Sequence, residues 1–561
     1  MKLNIKKIAI VGLLGTILLN SCAKKLDDAY LNPNASTKQP VEVMFPAMIG
    51  TMVGNSHASA NSYGIAGDII NVSRYIQYWN NYTKTTAENG GTQFDQMGGV
   101  TASGTSMINT WSMFYWTHGP NINRIIEWGS EEQKWDFVGA AFVLRAWGWL
   151  ETTNEYGDII VSEAFNPSQL QFNYDDQSLA YDSARSAALK ALTFLNRTDG
   201  NMNPTNFAAS DFYLNKGDLN KWKKFAYGVL ARSYAYLNNK TTYSADSVIK
   251  YATLSCTTNA DNIVATFQNT AISGTKNYFG STRGNVNSAN TGLRQSKFIA
   301  DLMTGANPSA FTGAFDPRTP YLLRENPNGT YKGYSPSFSA LINPVLPLGD
   351  SSQSFMGTPY QTVGYLNPEQ GRYIFRDAAP FPVMTASEMQ FILAEALLRK
   401  GDQNGAKTAY TNAISLNIDM LASLYPVNIP AGKEITFANK TVYLSNPGII
   451  PLGNITLTHI MLQKYIALYG WGAQETWVDM RRYHYDKDLD PATGQPVYAN
   501  FKVPTGADLN SLFGNNNGKP VTRIRPSYNS EYIYNIPALT KVGAYPPGND
   551  YHTKEMWFSQ K

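Results

Sequence analysis

Apolar side chains recur at three- and four-residue intervals through much of the chain. This spacing predicts helices over 105–127, 133–153, 177–196, 219–238, 244–256, 385–399, 403–417, 456–470 and 473–483. The segments between and beyond them, notably 258–380, 425–453 and 490–555, are rich in Gly, Asn, Pro, Ser and Thr. The pattern predicts an all-α dominated fold with little sheet, in which a helical scaffold carries long irregular excursions. Such excursions lie at the surface and tend to carry function.

Several of the helices are paired. Ser387 to Met420 fits the roughly 34-residue tetratricopeptide pattern, with Leu393, Ala394, Leu397, Gly401, Asp402, Ala406, Tyr410 and Ala413 at its offsets. Small residues let two antiparallel helices approach, and Gly401 ends the first of them. Trp135 to Gly139 with Phe142, and Trp222 to Ala226 with Val229, repeat the opening of the same pattern. Ile455 to Arg482 forms a fourth, less regular pair around Gly470, Trp471 and Gly472. About four tetratricopeptide-like helix pairs are expected, with a loop-rich insertion at about 258–380. A chain of 561 residues would ordinarily be read as three or four domains. A repeat scaffold replaces that reading with one unit over 22–561.

The N-terminus narrows the compartment. Lys2, Lys6 and Lys7 precede Ile8 to Leu19, an uncharged run of twelve residues, which is the layout of a secretory signal over 1–21. The run is too short to span a bilayer, which needs about 20 apolar residues. It ends Leu19-Asn20-Ser21-Cys22, which resembles a bacterial lipobox, and the resemblance implies a lipid-modified Cys22. Cys256 then has no intrachain partner, so no disulfide framework is expected. The formal charge of +4 also changes, because three lysines leave with the signal and the remainder is about +1. A near-neutral chain without a dense basic stripe lacks the cationic field that nucleic acid requires.

The common catalytic and nucleotide signatures are absent: there is no G-x-S-x-G, no Walker A, no G-x-G-x-x-G, no C-x-x-C and no H-E-x-x-H. The five histidines are scattered, so no zinc pair is expected. Asp486, Asp488 and Asp490 have the spacing of a calcium loop, but Pro491 and Val497 stand where glycine and a bidentate glutamate are needed, so a solvated acidic turn is expected and no metal. Glu88, Asp95, Asp316 and Asp377 occupy loop positions, and nothing in the sequence pairs them. No enzymatic activity and no cofactor are expected.

A neutral, aromatic, amide-rich surface suits sugars. A pyranose stacks its C–H face on Trp or Tyr, and its hydroxyls match Asn, Gln, Asp and Arg. The first candidate cluster runs from Tyr75 to Tyr82. Tyr75, Tyr78, Trp79 and Tyr82 also have the spacing of a helix's core stripe; Trp79 and Tyr82, beside Asn80, Asn81 and a loop, are the better ligand candidates. The second lies in 267–294, where no period organises Tyr278, Phe279 and Arg283. The expected ligand surface is Trp79, Asn81, Tyr82, Tyr278, Phe279 and Arg283. Trp111, Tyr115 and Trp116, on a periodic segment, are expected in the core, as are Trp471 and Trp477.

Several motifs together resemble the SusD/RagB-like outer-membrane lipoproteins. They are the lipobox, the helix pairs with their long insertion, Trp111 to Glu127, the turn Tyr156-Gly157-Asp158-Ile159, Thr385 to Leu398, and Ile460 to Arg482. Arg523 to Glu531 is a variant of the family's closing segment and carries no role across. The resemblance implies a non-enzymatic, surface-exposed nutrient-binding lipoprotein held in the outer membrane through its lipid. It further implies delivery of oligosaccharide ligands to a SusC-like TonB-dependent transporter. Peptide capture, a surface glycosidase and a purely structural lid are the alternatives. Glu395, Glu475, Asp479 and Arg481 lie in the matching motifs and are expected to make buried scaffold contacts.

Overall fold

The computed structural model describes residues 38–54, 63–81, 95–98, 107–270, 275–280, 293–334, 350, 352–355, 371–503 and 513–561. Among these, the helices of eight residues or more are α1 Val41–Met52, α2 Ile65–Tyr75, α3 Gly119–Glu131, α4 Trp135–Tyr156, α5 Gln177–Leu195, α6 Leu219–Ala235, α7 Ala245–Leu254, α8 Lys297–Thr304, α9 Ala386–Arg399, α10 Gln403–Leu424, α11 Phe437–Ser445, α12 Leu457–Ala467 and α13 Ala473–Arg482. Four short strands complete the picture: β1 Trp79–Asn81, β2 Ile263–Ala265, β3 Leu293–Gln295 and β4 Phe381–Met384. Each helix predicted from the periodicity is present, and the fold is helix-dominated.

The scaffold is a continuous stack. α4 packs along α5, α5 on α6, α6 on α7, α7 on α9 and α9 on α10, while α12 and α13 return onto α9, α4 and α2. Alanine is the spacer, with Ala180, Ala184, Ala188 and Ala191 of α5 and Ala406, Ala409 and Ala413 of α10 buried along the contacts. Side-chain caps fix the helix starts: Asp218 accepts from the Asn220 and Lys221 N–H groups, Thr385 from Glu388, Asp402 from Gly405 and Thr456 from His459. Gly401, at φ 83°, closes α9 in the left-handed conformation.

Charges lie at the centre of this stack. Arg232 of α6 is buried, and its guanidinium reaches Glu388 of α9 at 2.7 Å, Glu475 of α13 at 2.8 Å, Glu151 of α4 at 3.2 Å and the Val383 carbonyl of β4 at 2.8 Å. Three carboxyls face one guanidinium. Burial and the adjacent Glu475 push the Glu151 carboxyl well above the usual carboxylate range, and Glu475 is raised by burial as well, so the two share a proton in a hydrogen bond. A second node joins Arg482 of α13 to Glu395 at 2.8 Å and to Asp479, which also holds Lys464 of α12 at 2.8 Å. Burial would raise the Glu395 carboxyl, but Arg482 outweighs it and holds the group far below its usual range. Glu395, Glu475, Asp479 and Arg481 are thus buried scaffold contacts, as the sequence motifs imply.

The long insertion is sewn to the scaffold. β3 pairs antiparallel with β1, Trp79 lying opposite Gln295, and β2 pairs antiparallel with β4 just before α9. This overturns part of the expected ligand surface. α2 stops at Tyr75, Gln77 adopts φ 65°, and the chain turns inward as β1. The fully buried Trp79 donates from Nε1 to the Ile70 carbonyl at 3.0 Å. Its ring meets Phe279, Phe355, Phe375 and Tyr469 edge-on at 5.8–6.1 Å. Phe279 stacks on Phe381 at 5.8 Å, and Tyr278 is only 7% exposed. These three aromatics are core, because the strand pairings draw both irregular segments onto the helices. The Asn81 backbone pairs with Leu293, whereas Tyr82, Arg283 and Cys22 lie outside the described residues.

Three measurements check this arrangement. Trp79→Ala is expected to lower unfolding stability by about 3–5 kcal/mol in denaturant titrations, and a shift below about 1 kcal/mol would contradict its core position. Arg232→Met strands three carboxyls and is expected to cost about 3–5 kcal/mol, read from the same titrations. Glu151 titrates higher in the folded than in the unfolded chain. Its protonated form therefore favours folding, and stability is lost as pH rises from about 4.5 towards the folded value. Glu151→Gln should match the wild type below pH 4.5 and gain on it steadily above; a pH-independent difference would refute the raised carboxyl.

Candidate functional site

A cleft of about 1000 Å³ opens between the helical run before α3, the 160–172 loop and the C-terminal residues 530–535. Its first wall begins as an α-turn at Asn109–Ser112, widens into a π-helical stretch at Met113–His118 and continues as α3. A π-turn inserts one residue and re-aims the side chains beyond it, which is why such turns cluster at functional sites. Trp111 and Tyr115, four apart, share the inward face: their rings lie 4.5 Å apart and the Tyr115 hydroxyl donates to the Ile160 carbonyl at 2.7 Å. Trp116, one residue on, points elsewhere and is 42% exposed. The expectation that all three are core is corrected for Trp116; adjacent helical residues do not share a face.

The opposite wall is built under strain. Phe165 has φ 64°, a left-handed conformation costing a bulky residue of order 1–2 kcal/mol, and such strain concentrates at binding sites. Its ring lies against Gly119, where an added Cβ would come within 1.9 Å of it, so any larger residue there would displace the ring. The loop is then clamped to the C-terminal segment. Gln171 donates to the Tyr534 carbonyl at 3.1 Å, and Asn535 donates to the Phe172 carbonyl at 2.9 Å. This clamp leaves the Tyr534 ring 65% exposed beside the cleft.

Polar groups line the space between. Arg145 donates to Asn123 and fixes its amide, and Asn121 holds Arg124 at 3.1 Å. On the floor, Glu531 accepts from the Tyr174 hydroxyl and the Asn535 amide, both at 2.9 Å, and burial raises its carboxyl above the usual range. The cleft thus combines two exposed aromatic faces with amides, one guanidinium, the Glu127 carboxylate and a carboxyl biased towards neutrality. Such a lining holds hydroxylated, largely uncharged molecules.

The carboxylates singled out in the sequence do not meet. Asp316 is paired with Arg318 at 2.6 Å, Asp377 with Lys276 at 3.1 Å, and Asp95 accepts from Phe513 and Asn516; Glu88 lies outside the described residues. In the acidic turn, Asp490 caps α12 through the Thr458 N–H at 2.6 Å and Asp488 pairs with His484 at 2.8 Å. Trp471 and Trp477 are buried, as expected.

The sequence matches the SusD-like family model described as starch-binding associating with outer membrane over residues 33–505. No curated protein matches the chain. Among solved structures, a SusD/RagB family protein from Bacteroides thetaiotaomicron superposes with a TM-score of 0.65 at 20% identity, covering 93% of this chain and 99% of that one. A SusD homolog from Bacteroides uniformis gives 0.64 at 17% identity, over 93% and 100%. A chitin-binding SusD homolog from Flavobacterium johnsoniae gives 0.61 at 18% identity, over 92% and 98%. At these identities the structures speak for the fold, whereas the family model covers most of the chain, and on that ground the chain belongs to the SusD-like family.

Proposed function

We propose that the protein is a cell-surface glycan-capturing lipoprotein, without enzymatic activity, that delivers oligosaccharides to a SusC-like TonB-dependent outer-membrane transporter. Membership of a family associated with the outer membrane supports the location. Cys22, acylated after removal of 1–21, would supply the anchor, and several acyl chains at about 0.8 kcal/mol per buried methylene hold stably. Among the described residues no helix is long and apolar enough to cross a membrane. One relative of the same fold is described as chitin-binding, which favours a sugar as cargo.

The observation that carries the reading is the pair of open aromatic faces, Trp116 and Tyr534, in a cleft lined with amides. Flat apolar platforms flanked by fixed donors and acceptors match the two faces of a pyranose. The near balance of Arg124 against Glu127 favours uncharged sugars. Trp116→Ala and Tyr534→Ala should each weaken binding of a neutral oligosaccharide, such as N-acetylchitotetraose, about tenfold by calorimetry. Both side chains are exposed, so unfolding stability should stay within about 0.5 kcal/mol. Affinity unchanged in both variants would remove the cleft as the sugar site.

A further inference from the structure

We propose that a second cleft, beside α8, binds the carboxylate-bearing unit of an acidic saccharide. It encloses about 740 Å³ between α8, the turn 326–333, Phe315 and Lys433. Nothing in the family match assigns it.

The charge of this cleft differs from that of the first. Lys297, Lys332 and Lys433 line it against one carboxylate, Asp301. Lys297 is held by Asp301, and Lys332 by Asp350 at 2.8 Å on the margin. Lys433 is exposed and, among the described residues, has no acidic partner. One ammonium is therefore left to neutralise a ligand's negative charge, and the two paired lysines fix its surroundings.

An apolar platform stands beside these charges. Phe315 is 49% exposed, and behind it Tyr331 lies 6.1 Å from ring to ring. The wall opposite is rigid. Asn326 closes its turn by accepting from Thr330 at 2.9 Å through Oδ1 and from Gly329 at 2.9 Å through its carbonyl, with Gly329 at φ 72°. The Lys332 carbonyl accepts from Gln295 at 3.0 Å and from Ser352 at 2.5 Å, so the backbone carrying that lysine is fixed to β3. A cleft with a half-open ring and, among the described residues, an ammonium without an acidic partner suits a sugar whose C–H face stacks while its carboxylate meets Lys433.

An extended acidic peptide is disfavoured by the backbone. Strand addition needs a free edge. Here the Tyr334 N–H already donates to the Gln295 carbonyl at 3.0 Å, and the Lys297 N–H donates to the Tyr334 carbonyl at 2.7 Å. The segment beside the cleft is occupied by its own chain.

The test is calorimetry on the mature protein with three probes: tetragalacturonate, N-acetylchitotetraose and tetraglutamate. Tetragalacturonate should bind the wild type, weaken severalfold between 50 and 200 mM salt, and weaken about tenfold in both Lys433→Ala and Phe315→Ala. It should be unaffected by Trp116→Ala, whereas N-acetylchitotetraose should show the reverse dependence. Loss of neutral binding alone would count against the first cleft and leave this proposal standing. The proposal is overturned if tetragalacturonate fails to bind, if it binds Lys433→Ala and Phe315→Ala as it binds the wild type, or if tetraglutamate binds equally well and ignores Phe315→Ala.

Discussion

A guanidinium cannot sit in a helical core without partners, and this requirement organises the molecule around Arg232. Its charge is met by carboxyls from three other helices, Glu151, Glu388 and Glu475, lying far apart in sequence. Removing the guanidinium leaves three buried carboxyls without a counter-charge, at a cost of several kcal/mol. The contact therefore selects one relative placement of α4, α6, α9 and α13. Apolar packing along alanine-lined seams would tolerate sliding between neighbours; fixed ion pairs with directional hydrogen bonds do not. The node at Arg482, Glu395 and Asp479 repeats the device one helical turn or two away and brings in α12.

With the scaffold fixed, its loops can be held under strain at its margin. Phe165 in a left-handed conformation, the close approach at Gly119 and the clamp between 171–172 and 534–535 all lie on one side of α3. The open rings of the cleft have separate causes: the Gln171 bond to the Tyr534 carbonyl holds that residue at the rim, and its place in the π-helical run turns Trp116 outward. The second cleft obeys the same logic, with the turn at Asn326 fixed to β3 while Phe315 and Lys433 face outward. Near-balanced charge in one and excess cationic charge in the other separate the two by chemistry.

Much of the scaffold was legible in sequence because helix periodicity is local. The 387–413 pattern, the Trp135 and Trp222 openings and the pair around Gly470 all correspond to packed helices. The buried fate of Glu395, Glu475, Asp479 and Arg481 was implied by their motifs. The aromatic allocation was not. Phe279 sits in a segment without a period and Trp79 where a helical stripe runs out into a loop, and composition alone cannot distinguish a loop that reaches solvent from one that is paired and pulled inward. Trp116 carried only a weak signal: it comes directly after Tyr115, and adjacent helical side chains point in different directions. Glu531 and Tyr534 carried none, because the partners that define their place are more than 350 residues away.

By itself, then, the sequence determined the helical repeat architecture, the family and the absence of familiar catalytic signatures. These depend on short-range spacing and on composition, which the linear chain displays in full. Only the tertiary structure decided which aromatic rings are buried and which are open, which carboxyls share a guanidinium, and where clefts form. Each of those is a meeting of segments remote in sequence, set by strand pairing and by the need to neutralise buried charge.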